Sequence, residues 1–122
     1  MAEIRGVSHL LLQTGDLARA EQFYTGVLGF HVRERSVFRD GRPLVVMREG
    51  LGLTELTEEG KRVRSEQGQA LEHVAFKVAD IAALERDLRA AGVTIYDGPK
   101  LTHYGTSIYF LDPDGVHIEC HD

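Results

Sequence analysis

The sequence predicts an α+β fold built from two βαβββ modules, and three observations carry that prediction. First, the segment from His9 to Glu21 has a counterpart from His73 to Glu85, with Asp16 on Asp80, Leu17 on Ile81 and Ala18 on Ala82. Second, the same offset of 64 residues carries Glu55 onto Glu119 without a gap. Third, in each copy the apolar pattern passes from strand alternation to helical spacing and back to strands in the same order, as expected of a repeated supersecondary unit.

The elements follow from the residues. Val7, His9, Leu11 and Gln13 alternate with Ser8, Leu10 and Leu12, which predicts a strand over 6–13. Asp16 suits a helix N-cap, because its carboxylate can accept from the unpaired amides of the first turn. Leu17, Ala20, Phe23, Tyr24, Val27 and Leu28 recur at helical spacing, and Gly29 suits the left-handed position that ends the helix. His31–Phe38 and Arg42–Arg48 read as strands joined at Asp40-Gly41. Leu51–Thr57 closes the unit with Leu51, Leu53, Glu55 and Thr57 on one face. A polar run over 57–69 reads as the linker between copies. In the second copy, Leu71–Val78 repeats the first strand, and Asp80 caps a helix striped by Ile81, Leu84, Leu88 and Ala91 and ended by Gly92. Val93–Tyr96, Thr106–Leu111 and Val116–His121 supply the remaining strands, with Asp112-Pro113-Asp114-Gly115 as a turn. The expected architecture is an eight-stranded mixed sheet with two flanking helices. It forms one domain over 1–122, with module one about 1–60 and module two about 68–122.

Composition narrows the function. At 122 residues, 43% hydrophobic and 27% charged, the chain has the size and balance of one globular domain. A net charge of −5 with scattered Lys and Arg argues against a nucleic-acid partner. The single cysteine, Cys120, excludes an internal disulfide, fits a reducing compartment and reads as a small core residue. No apolar run has the length of a signal peptide or a membrane span, so the expectation is a soluble cytoplasmic protein.

Four residues carry the chemistry that the repeat suggests: His9, Glu55, His73 and Glu119. Two imidazoles and two carboxylates suit one borderline divalent cation, Zn, Ni, Co, Mn or Fe. A pseudo-two-fold relation between the copies would bring the two pairs to one point near the axis. The alternative is that the imidazoles are ordinary hydrogen-bonded strand residues; an unpaired carboxylate buried in an apolar strand would then carry a large penalty.

These residues resemble the vicinal oxygen chelate superfamily, which includes glyoxalase I, extradiol dioxygenases, fosfomycin-modifying thiol transferases and bleomycin-binding proteins. The resemblance rests on His9, on Thr14-Gly15-Asp16-Leu17, on the run Phe23–Phe30, on Glu55-Leu56-Thr57, on the run Glu72–Phe76 and on the run Tyr109–Glu119. It implies a curved sheet, metal ligands at all four positions as in glyoxalase I, and a homodimer in which His9 and Glu55 of one chain face His73 and Glu119 of the other. It also implies that Glu119 or Glu55 is the catalytic base, shuttling a proton along an enediolate-type path. Tyr109, ten residues before Glu119, matches the dioxygenase signature as a substrate-contacting residue.

Departures from the family pattern bear on the substrate. Gln13 stands where bacterial glyoxalase I has a glutathione-contacting Arg, and Glu59 stands in place of an Asn. Leu11 stands where the fosfomycin enzymes have a catalytic Thr. The expected function is a metal-dependent lyase or isomerase acting on a small molecule with vicinal oxygens. The alternatives are a single-domain Fe(II) ring-cleaving dioxygenase and a non-catalytic bleomycin-type binding protein. His117 and His121 share the face of Glu119 and read as rim or supporting residues, and His31 reads as solvent-facing.

Overall fold

Alternating and helical apolar patterns become ten elements in the computed structural model, which describes residues 2–59 and 71–122. The first module comprises β1 (Leu10–Thr14), α1 (Leu17–Gln22) continued by a wide helical turn over Phe23–Val27, β2 (Val32–Val37), β3 (Pro43–Met47) and β4 (Leu51–Glu55). The second comprises β5 (Val74–Lys77), α2 (Ile81–Ala90), β6 (Ile95–Thr102), β7 (Gly105–Leu111) and β8 (His117–His121). The eight strands divide into two four-stranded mixed sheets, ordered β1-β4-β3-β2 and β5-β8-β7-β6. In each, the first strand of the module runs parallel to the last, and the other pairs are antiparallel. The linker expected over 57–69 lies largely outside the described residues.

Local chemistry sets the helix ends. The carboxylates of Asp16 and Asp80 accept from the backbone N–H of Arg19 and Ala83 at 3.1 and 3.0 Å. Gly29 and Gly92 follow with φ of +76° and +77°, a region in which a side chain would be strained. The last turn of the first helix is wide, with the Leu28 N–H donating to the Phe23 carbonyl. The strand expected over 93–96 begins at Ile95 and runs on to Thr102, its register against β7 broken twice.

Both modules contribute to one apolar core. Phe23, Tyr24, Met47, Leu51 and Leu53 meet Leu88, Ile108, Phe110, Ile118 and Cys120. Ring contacts cross between the modules, Phe23 to Phe110 at 6.3 Å and Phe30 to Phe76 at 5.0 Å between centroids. Polar bonds from the Asp112–Gly115 turn add to them. The Tyr24 hydroxyl donates to Asp112 at 2.8 Å, and the Thr14 hydroxyl donates to Asp114 at 2.5 Å. Burial raises the Asp112 carboxyl above the ordinary aspartate range, and burial pushes the Cys120 thiol up to about 12. Among the described residues, no helix is long and apolar enough to cross a membrane.

Candidate functional site

Each sheet has one face in the core and one face open. In β8, Ile118 and Cys120 point into the core, so His117, Glu119 and His121 occupy the open face. In β7 the buried Ile108 and Phe110 leave Ser107 and Tyr109 on the open side, and Tyr109 lies directly opposite Glu119. His73 immediately precedes β5, and its Nε2 stands 3.3 Å from Glu119 Oε1. The second module therefore brings the predicted pair His73 and Glu119 together.

Glu119 is only 4% exposed, and its burial is supported by hydrogen bonds. Its Oε2 accepts from the Ser107 hydroxyl at 2.8 Å, and Ser107 Oγ lies 2.8 Å from Thr102 Oγ1. With Glu119 as a carboxylate, Ser107 must be the donor to it. The single Thr102 hydroxyl proton has two acceptors within reach, Ser107 Oγ and the Gly105 carbonyl at 3.1 Å, while the Tyr104 N–H donates to Thr102 Oγ1 at 3.2 Å. Around this centre the Lys100 ammonium sits 5.2 Å above the Tyr109 ring, and the Tyr96 ring lies 6.2 Å from that of Tyr109. The Tyr96 hydroxyl bonds His117 Nδ1 at 2.9 Å. Partial burial, followed by the charges of Glu72 and Asp97, raises the Tyr96 phenol above its usual range. The His121 ring packs on Tyr104 at 5.4 Å.

The first module is arranged differently. His9 is exposed just before β1, with Nδ1 3.0 Å from the Ser8 hydroxyl. Glu55 ends β4, opposite Thr14 at the far end of β1. At the rise of a strand, five residues separate His9 from that level by roughly 16 Å. The cause is register. Val74 lies opposite Ile118, but its counterpart Leu10 lies opposite Leu51, three residues short of the Thr54 that the offset of 64 would select. An odd slip also exchanges faces, so Glu55 shares the parity of the buried Leu51 and Leu53. Gly52, opposite Leu11, takes the place in β4 that Glu119, opposite Ala75, takes in β8. The four predicted donors thus do not converge within one chain. Among the described residues, no group of three or more His, Cys, Asp or Glu side chains gathers as a metal site.

Ser107, Thr102 and Tyr96 surround the candidate centre, and the sequence reading did not single them out. The signal for Ser107 was its parity with Tyr109 between two core residues. Thr102 and Tyr96 lie in a strand longer than its apolar pattern indicated. His31 is exposed and engages Glu49 at 2.8 Å, away from this centre.

A family model, that of the Glyoxalase/Bleomycin resistance protein/Dioxygenase superfamily, matches residues 6–120. The chain belongs to this superfamily. It is 33% identical to a lactoylglutathione lyase of Neisseria meningitidis over 91% of this chain and 86% of that protein. It is 32% identical to the glutathione transferase FosA of Serratia marcescens over 97% and 81% of the two chains. Among solved structures, the trypanothione-dependent glyoxalase I of Leishmania major superposes with a TM-score of 0.74 at 27% identity, covering 98% of this chain and 87% of that one.

Proposed function

We propose that the chain is a metal-dependent enzyme of the glyoxalase type, a lyase or isomerase acting on a small molecule with vicinal oxygens. The observation that carries this reading is the pairing of His73 with a buried, hydroxyl-supported Glu119 on an open sheet face. An imidazole nitrogen and a carboxylate oxygen fit a borderline divalent cation such as Zn, Ni, Co, Mn or Fe. His73 and Glu119 would hold it from one chain, and His9 from a second copy in a homodimer would add a third donor. When bound, the cation would polarise the substrate oxygens.

The chain's own residues supply the rest. Ser107 fixes one Glu119 oxygen, so the other is presented beside His73 to the open face. From there Glu119 can accept a proton from a carbon next to a carbonyl and return it to the neighbouring carbon. Tyr109, opposite Glu119 and under the Lys100 ammonium, contacts the substrate. Gln13 accepts from the Arg42 guanidinium at 2.9 Å, which speaks against a glutathione thioacetal as the substrate.

A second reading has one observation in its favour. With Gly52 rather than Glu55 beside Leu11, three of the four predicted donors remain on open faces: His9, His73 and Glu119. Two imidazoles and one carboxylate are the set of an Fe(II) dioxygenase with open coordination positions.

Elemental analysis of the purified protein tests the proposal. About one equivalent of metal per chain is expected, lost in His73→Ala and Glu119→Ala. A protein free of metal after purification and reconstitution would overturn it. The reaction separates the two readings: proton exchange next to a carbonyl without oxygen consumption favours the lyase, and oxygen consumption with a catechol probe favours the dioxygenase.

A further inference from the structure

The open face of the first sheet carries a cleft of ≈ 360 Å³ that holds His9 and two arginines to which the proposed reaction gives no role. Leu11, Leu44 and Val46 share the open face and form its apolar floor, and Phe38, Ser8 and His9 also line it. Gly52 keeps the floor open: a Cβ there would come within 3.1 Å of Leu11 Cδ1. Two arginines, Arg33 and Arg48, line the same cleft.

Three facts make these arginines unusual. Arg33 is the extra residue of a β-bulge, since Val32 pairs with Met47 and Glu34 with Val46, leaving Arg33 opposite nothing. A bulge turns one side chain out of the regular alternation. Arg35 and Arg42 by contrast are held by Glu21 and Asp40. Among the described residues neither Arg33 nor Arg48 makes an ion pair, and the one carboxylate opposite the floor, Glu34 across from Val46, is not among the side chains that line the cleft. Glu49, next to Arg48 in sequence, is held by the ring and the backbone N–H of His31. In a chain of net charge −5, a cleft with two uncommitted guanidinium groups over an apolar floor is complementary to an anion with an apolar body.

We infer that this cleft binds a small organic carboxylic acid, its carboxylate between Arg33 and Arg48 and its hydrocarbon or aromatic part over Leu11, Leu44 and Val46. Guanidinium forks match a carboxylate in shape as well as charge. Because His9 lines the same cleft, an acid held there would lie beside the imidazole, and the inference names the substrate class for the reaction proposed above. It rests on that reading only for what happens beside the imidazole; binding of the acid itself needs no metal.

The test uses metal-stripped full-length protein and isothermal titration at low salt, with 3-phenylpropanoate as the probe and 3-phenylpropanamide as its neutral counterpart. The acid is expected to bind at least tenfold tighter than the amide. Arg33→Gln and Arg48→Gln should each weaken the acid about tenfold, the loss of one charge-assisted hydrogen bond, and leave the amide unchanged. Both positions are exposed, so the variants keep the parent melting temperature, and Arg86→Gln on the surface of α2 serves as the unaffected control. Equal binding of acid and amide, no binding of either, or an acid affinity insensitive to both substitutions overturns the inference. Metal content separates the two readings. Arginine-dependent acid binding in a protein that never holds metal leaves this inference standing and removes the metal site; the reverse pattern removes this inference alone.

Discussion

Ser107→Ala is the most direct probe of the Glu119 centre. The Ser107 hydroxyl is fully buried, and at 2.8 Å it is the donor that compensates the desolvated Oε2 of Glu119. A hydrogen bond to a charged group contributes roughly 1.5–3 kcal/mol, and its buried acceptor is left unsatisfied when the donor is removed. A loss of about 2 kcal/mol is therefore expected. With an unfolding entropy of about 2.1 cal/mol/K per residue, a chain of this length loses about 0.26 kcal/mol per degree, so Tm should fall by about 8 °C. Thr102→Val removes a hydroxyl bonded to Ser107, to the Gly105 carbonyl and to the Tyr104 N–H, neutral bonds of about 1 kcal/mol each, and should destabilise by at least as much. Calorimetry on metal-free protein reads both. Under the proposed function, Ser107 positions a metal ligand, so metal affinity should also drop by about 10- to 100-fold in Ser107→Ala. A variant that melts within about 2 °C of the parent and keeps its metal affinity would refute the assignment of Ser107 as the support of Glu119.

Three other predictions concern the links between the modules and the buried thiol. Tyr24→Phe removes the donor to Asp112 and should cost about 2 kcal/mol, read by urea denaturation at neutral pH. Asp112 has a raised folded-state pKa, so the native chain binds its proton more readily than the unfolded chain. Its contribution to stability is present at low pH and is lost as pH rises from the ordinary aspartate value of 3.8 through the raised one. Asp112→Asn, which can still accept from the amides of Asp114 and Val116, should flatten that decline in melts taken across the acid range, and an unchanged slope would count against it. Cys120, 2% exposed with its thiol pushed up to about 12, should resist iodoacetamide at pH 8 in the native protein and react fully in urea; rapid native labelling would contradict its place in the core.

The fold was legible because its signals are local. Two Asp N-caps, two Gly stops and the alternation of apolar residues mark nearly every element, and the offset of 64 residues makes the modules copies. The pairing of His73 with Glu119 in the candidate site was also legible, since Glu119 alternates with two core residues, Ile118 and Cys120, and so takes the opposite face of β8. The place of Glu55 was not, because the sequence held two signals that conflict. Alignment of the copies sets Glu55 on Glu119, whereas alternation sets Glu55 on the face of Leu51 and Leu53. In the fold alternation prevails: burying two leucines at 1% exposure fixes the register of β4 against β1, and the carboxylate goes to the far end.

This register can be read chemically. Neighbouring strands lie about 4.8 Å apart, within the span of a disulfide. Leu11 and Gly52 are direct partners, so the double variant Leu11→Cys with Gly52→Cys should cross-link on mild oxidation, with Cys120 replaced by Ala to exclude exchange. Leu11→Cys with Glu55→Cys tests the competing register, the one in which Glu55 would stand beside Leu11 as Glu119 stands beside Ala75. Here three residues of strand, about 10 Å, keep the two thiols apart and no bond should form. Cross-linking of the second pair and not the first would mean that the modules pair their strands alike. It would return Glu55 to the face of His9 and remove the argument for a three-donor site.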